Sequence, residues 1–166
     1  MRVTISSGPS PAERPAAAGR GSQLARWIAT SGGLGYSPFA PGTVASLPIA
    51  LLVWWFQPTD LTLIGLAAIV TIVGTWAAGR EEERLGAKDP RAIVIDEVAG
   101  MLISCVACPR TWVWVLGLFL AFRVFDVVKP LGVNKLQDLP GGLGIMADDV
   151  LAGIYVSLLG QLRHLV

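Results

Sequence analysis

Ile93-Val94-Ile95-Asp96-Glu97-Val98-Ala99-Gly100-Met101-Leu102-Ile103 sets two adjacent carboxylates inside a run that is otherwise apolar. Without Asp96 and Glu97 the stretch reads as a buried or membrane-embedded helix. Ionised groups in apolar surroundings cost several kcal/mol unless a cation or a donor compensates them. A positive partner for both acids is therefore expected. Asp96 and Gly100 lie four apart and share a helix face, and a glycine there lets a second helix approach closely. The helix is expected over about Ala92 to Ala107, between Asp89-Pro90-Arg91 and Pro109.

Working outward, two downstream segments repeat the pattern. Asp126 lies in Phe122-Arg123-Val124-Phe125-Asp126-Val127-Val128, and Asp148-Asp149 lies in Ile145-Met146-Ala147-Asp148-Asp149-Val150-Leu151-Ala152-Gly153, with Asp149 and Gly153 again four apart. Five of the chain's 12 acids thus sit in three apolar segments, unlike a solvated surface. If the segments pack together the acids share one site, and a divalent cation is the simplest common partner.

The composition frames this reading. A chain of 166 residues is one domain's worth. It is 53% hydrophobic and only 15% charged, against about 25% charged in ordinary globular proteins. With a mean hydropathy of +0.60, a membrane protein is expected. A net charge of +1 provides no electrostatic footprint for nucleic acid, so no such partner is expected. Cys105 and Cys108 form a C-x-x-C with no second pair and no nearby His, which reads as two small buried thiols rather than a zinc or redox site.

Upstream, residues 1–22 carry Pro9, Pro11, Pro15, Arg14 and Arg20 with no apolar stretch of signal-peptide type, and a disordered tail is expected before a domain spanning 23–166. A short helix over about Leu24 to Ala29 follows. The stretch Ser31 to Ser46 is dense in Gly, Pro and hydroxyls. Thr43 or Ser46 can cap the helix it feeds, and the free N–H groups at Gly42 and Thr43 offer a phosphate cradle. Taken alone the stretch reads as a turn and an N-cap rather than a phosphate site, and no Lys follows in Walker spacing. Leu47 to Phe56 reads as a short apolar helix, and Leu61 to Ala78 as an uncharged run of the length a bilayer demands. Gly79 to Lys88 is a charge run, read as a solvated helix end.

Downstream, Thr111 to Val128 forms the next helix, with Trp112 and Trp114 suited to an interfacial belt. Arg123, Asp126 and Lys129 recur every three residues along one face. An ion-pair ladder explains part of this, but one acid cannot neutralise two cations, which leaves one for an anion. Leu131 to Gly144 is a second irregular loop with Lys135 and a glycine run, suited either to close approach by a ligand or to flexible linkage. The Asp148-Asp149 helix then runs to about Leu162, and His164 near the end is incidental.

Nucleophilic catalysis by Cys or His is disfavoured: the residues six after Cys105 and Cys108 are Thr111 and Trp114, so no Cys-x5-Arg phosphate loop exists. The remaining inventory is carboxylates, a few cations and two Gly/Pro loops, which suits metal-assisted chemistry at a phosphate. Mg²⁺ prefers carboxylates, water and substrate phosphates, and phosphoryl transfer needs positioning and charge neutralisation above all. On this reading Asp96, Glu97 and Asp149 hold Mg²⁺, with Asp148 and Asp126 as further ligands or a water-orienting base. Arg123 or Lys129 clamps the phosphate in the catalytic set, and Gly42, Thr43, Ser46 and Lys135 add phosphate contacts.

These residues resemble the phosphatidylglycerophosphatase A family of bacterial membranes. The matching pieces are Gly33-Leu34-Gly35 with Pro38-Phe39-Ala40-Pro41-Gly42-Thr43, then Asp89-Pro90 with Ile93-Val94-Ile95-Asp96-Glu97-Val98-Ala99-Gly100, then Phe122 through Pro130, and last Gly141 through Gly153. Four blocks in the family's order make a specific signal. Leu131-Gly132 departs from it, since many relatives carry a second proline there. The resemblance implies a Mg²⁺-dependent phosphatase converting phosphatidylglycerophosphate to phosphatidylglycerol, with an all-α core. The roles of individual acids rest on the residues, not on the resemblance.

The expected architecture is an all-α, compact multi-helix membrane-associated bundle with two Gly/Pro-rich active-site loops. Its partners are the bilayer and a phospholipid substrate. Arg14, Arg20 and Arg26 favour a cytoplasmic N-terminus, placing the protein in the bacterial inner membrane with its active site on the cytoplasmic side. The alternative is a small ion-coupled membrane transporter or ion-binding membrane protein, which would need its acids at mid-bilayer depth.

Overall fold

The computed structural model describes residues 20–128 and 139–162, and every regular element among them is helical. In chain order these are α1 (Arg20–Ala29), a single tight turn at Leu34–Tyr36, α2 (Pro41–Phe56), α3 (Asp60–Leu85), α4 (Ile95–Ser104), α5 (Trp112–Val128) and α6 (Gly142–Gln161). The all-α expectation is met. Most of the expected tail, along with Lys129, Lys135 and His164, lies outside the described residues, and α1 begins at Arg20, inside the stretch read as tail.

α3 merges two stretches that the sequence separates. Thr59 caps it by accepting the Thr62 N–H, and Gly86 in the left-handed region stops it. Its apolar body and the charge run are thus one helix of 26 residues. A solvated face describes Arg80 and Glu83, but Glu81 is buried, because Arg84 donates two hydrogen bonds to its carboxylate at 2.7 and 2.6 Å. α3 and α6 are both long and apolar enough to cross a membrane. Their outer faces and that of α5 keep Ile69, Ile72, Leu120 and Leu158 exposed, an apolar surface of the kind that faces lipid.

α2 begins six residues before the expected Leu47, because Pro41 at its first position needs no hydrogen bond there. This overturns the expected cap. Ala40 is the flanking residue and makes no side-chain bond, while Thr43 and Ser46 fall within the helix. The buried Ser46 hydroxyl instead donates back to the Gly42 carbonyl at 2.7 Å.

α4 is shorter than expected at both ends. Val94 donates its N–H to the Ala29 carbonyl at 2.9 Å instead of entering the helix. At the other end Ala107 donates to Asp60 Oδ1 at 2.8 Å, which also pairs with Arg110. Cys105 and Cys108, beyond α4, are buried thiols, as expected.

The two glycines four residues after an acid mark where α4 and α6 cross. A Cβ added to Gly153 would sit 2.5 Å from the Gly100 carbonyl, and one added to Gly100 would sit 2.5 Å from the Phe122 ring and 2.8 Å from the Asp149 carbonyl. This close crossing brings Asp149 beside the start of α4. The downstream glycine run serves packing too: a Cβ on Gly142 would lie 1.9 Å from the Thr75 carbonyl of α3, so the close approach there is to a helix and not to a ligand. Phe122, Leu63, Met101 and Met146 fill the centre.

Candidate active site

One end of the bundle gathers the acids. Asp96 and Glu97 occupy the first turn of α4, Asp126 lies in the last turn of α5, and Asp148 and Asp149 come from the second turn of α6. With Gly42 of α2 and Arg123 of α5 they line a single open cavity of about 320 Å³. Asp96, Asp148 and Asp149 each offer a ligand atom within 4.8 Å of the others, and so do Glu97, Asp126 and Asp149. The three acid-bearing segments therefore converge as their distribution predicts.

Arg123 bridges Glu97, with which it shares a close hydrogen bond, and Asp126 at 3.1 Å. The sequence leaves one cation of the Arg123-Asp126-Lys129 row free for an anion, but Arg123 is not that cation, because Glu97 arrives from another helix as its second acid. The two guanidinium groups that line the cavity, Arg91 and Arg123, do not balance its six carboxylates. Asp96 Oδ1 and Asp149 Oδ2 are buried with no hydrogen-bond partner among the described residues. Burial, then the charges of Glu97 and Asp148, push the Asp96 carboxyl well above the usual carboxylate range. Burial, then Asp126, push Glu97 up to about 7 against the pull of Arg123.

Gly42 belongs to the site for a steric reason. A Cβ on it would lie 1.7 Å from Glu97 Oε1 and 2.9 Å from Arg123 Nη1, so a side chain here would displace that pair. The first turns of α2 and α4 both open on the cavity. Their unpaired N–H groups and dipoles favour negative charge. Thr43 and Ser46 do not line the cavity.

Asp89 and Arg91 also line the cavity, whereas the sequence marks Asp89-Pro90-Arg91 only as the stretch that introduces the α4 helix, with Asp89-Pro90 among the family blocks. Arg91 donates to the Pro38 carbonyl at 3.3 Å, tying that stretch to the loop before α2. The available signal was charge placed just upstream of Asp96, which without a periodic pattern marks a turn and a site alike.

Residues 27–164 match the family model described as phosphatidylglycerophosphatase A. Phosphatidylglycerophosphatase A of Escherichia coli K12 is 36% identical over 132 residues, covering 76% of each chain. Its counterpart in Haemophilus influenzae is 34% identical over 139 residues, covering 79% of this chain and 83% of the relative. A Bacteroides thetaiotaomicron protein provisionally named phosphatidylinositol-3-phosphatase is 44% identical over 142 residues, covering 80% of this chain and 88% of that one. No solved structure matches the chain.

Proposed function

The chain belongs to the phosphatidylglycerophosphatase A family and is an enzyme of the phosphatase class, and from that premise we propose that its acid cavity hydrolyses phosphatidylglycerophosphate to phosphatidylglycerol and phosphate with the help of Mg²⁺. The observation that carries this reading is the pair of carboxylate triads with Asp96 Oδ1 and Asp149 Oδ2, which have no hydrogen-bond partner among the described residues. An all-oxygen, acid-rich donor set of this kind fits a hard divalent ion. Asp96, Glu97, Asp148 and Asp149 would hold it. Bound there, it would neutralise phosphoryl oxygens and lower the pKa of a bound water.

The chain's own residues do the rest. Asp126 binds Arg123 through Oδ2, which leaves Oδ1 to accept a proton from the attacking water. The water oxygen bonds to phosphorus, the bond from phosphorus to the lipid oxygen breaks, and that oxygen takes a proton from solvent to leave as the phosphatidylglycerol hydroxyl, while Asp126 returns its own proton to solvent. Arg123 holds Glu97 and Asp126 in place beside the phosphate, and the first-turn N–H groups of α2 and α4 face its negative charge. Lys129 and Lys135 remain proposed phosphate contacts.

A bacterial inner-membrane site with the cavity on the cytoplasmic side is supported by charge placement. Arg26, Arg80, Arg84, Lys88 and Arg91 belong to α1, the end of α3 and the turn before α4, whereas Arg110 beside Asp60 marks the opposite end. Basic residues mark the cytoplasmic side. An ion pathway is disfavoured, since Asp96 is the second residue of its helix and Asp126 the third from the end of its own.

The test is phosphate release in detergent micelles from phosphatidylglycerophosphate and, separately, from phosphatidylinositol 3-phosphate. Turnover of the first lipid that a chelator abolishes and Mg²⁺ restores is expected. Faster release from the second would reassign the substrate, and turnover indifferent to chelation would remove the metal.

A further inference from the structure

Beyond the acid cavity, α2 and α5 enclose an apolar groove of about 340 Å³, walled by Leu47, Leu51 and Trp54 on one side and Trp112, Leu116 and Phe119 on the other. Its α5 wall is the same helix face that enters the cavity. Trp112, Leu116, Phe119, Arg123 and Asp126 follow spacings of four, three, four and three, a single stripe along the helix. On α2, Thr43 continues the stripe of Leu47 and Trp54 towards Gly42, which packs on Arg123. The groove thus runs straight away from the acids.

Its length has a meaning in a bilayer. From Arg123 to Trp112 is 11 residues of α5, about 16 Å along the axis. That is about half of a hydrocarbon core of roughly 30 Å, or one leaflet. A lipid whose phosphate sits among the carboxylates would drop a chain into this groove with no turn in its path. We infer that the α2/α5 groove holds one acyl chain of the diacyl substrate and so positions its headgroup in the acid cavity. This rests on the phosphatase reading above.

A second apolar groove, lined by Ile64, Ile72, Ile103 and Ile154 among others, has about 450 Å³ but lies between α3 and α6. Its residue on α4, Ile103, is seven positions beyond Asp96, at the far end of that helix. Hydrocarbon tails of any lipid can wet it, since they are as apolar as the side chains. It serves as the internal control.

The experiment compares a long-chain diacyl phosphatidylglycerophosphate with its deacylated, water-soluble headgroup, using the native chain and the variants Leu51→Trp, Leu116→Trp and Ile154→Trp in Mg²⁺-containing micelles. Filling the α2/α5 groove is expected to lower kcat/KM for the diacyl lipid by roughly ten-fold, the low end of what misfit in an apolar pocket costs. The headgroup rate should stay within about two-fold, and Ile154→Trp should change neither. A photoactivatable diazirine at mid-chain of the same lipid should attach to α2 and α5 in the native chain, a readout that does not depend on any variant folding. Attachment centred on Ile64 and Ile154, or equal loss in all three variants, would overturn the inference as bulk lipid contact. A native chain inert towards both substrates would instead overturn the phosphatase reading itself.

Discussion

At the residue scale the site is a problem of charge. Arg123 holds the buried Glu97 and Asp126 together, and removing one partner of such a pair costs about 3–5 kcal/mol when fully buried. Because Arg123 keeps 20% of its side chain exposed, Arg123→Met is expected to cost less, about 2 kcal/mol, and to abolish turnover, read by thermal melting beside the assay. The raised Glu97 pKa of about 7 against its usual 4.5 fixes a sign for pH. The fold favours protonated Glu97, so that contribution to stability is full below about pH 4.5 and is lost as pH rises through about 7. Melting in chelator should therefore fall between about pH 5 and pH 8, and Mg²⁺ should restore more at the upper end. A flat profile would contradict this. The acids themselves were legible because an ionised group in an apolar run has few explanations. Ser46 was not, because a hydroxyl can cap a helix or bond back to its own backbone, and which it does depends on where the helix begins.

At the element scale, α4 and α6 set the geometry through Gly100 and Gly153. Gly153→Ala would press a methyl into the Gly100 carbonyl, forcing the helices apart and moving Asp149. A loss of about 1–3 kcal/mol is expected, as for overpacked cores, with turnover falling at least about ten-fold. Gly117→Ala meets nothing within 4 Å and should leave activity unchanged while gaining up to about 1 kcal/mol of helix propensity. If the two substitutions behaved alike, the close crossing would not be what places Asp149. Helix existence was readable from apolar runs, and the paired spacing of acid and glycine hinted at this crossing. Boundaries were less so: α4 is cut short because Val94 bonds to Ala29, a partner 65 positions away that no local pattern reveals.

At the scale of the whole molecule, acids, basic residues and the starts of α2 and α4 share one end, while Asp60, Arg110 and the tryptophans of α2 and α5 mark the other. Such a division suits an enzyme working on a headgroup at one membrane face. In the sequence the closeness of Asp96 and Asp149 to the starts of their helices hints at it, but the gathering of elements at one end comes from how the helices pack. The most direct test is Mg²⁺-dependent phosphate release from phosphatidylglycerophosphate by the native chain beside Asp149→Asn, with both proteins shown to be folded. The account predicts turnover that needs Mg²⁺ in the native chain and a loss of at least about 100-fold in the variant, the scale on which charge-stabilising groups act. Native-like turnover by Asp149→Asn would show that the acid cluster is not the catalytic centre.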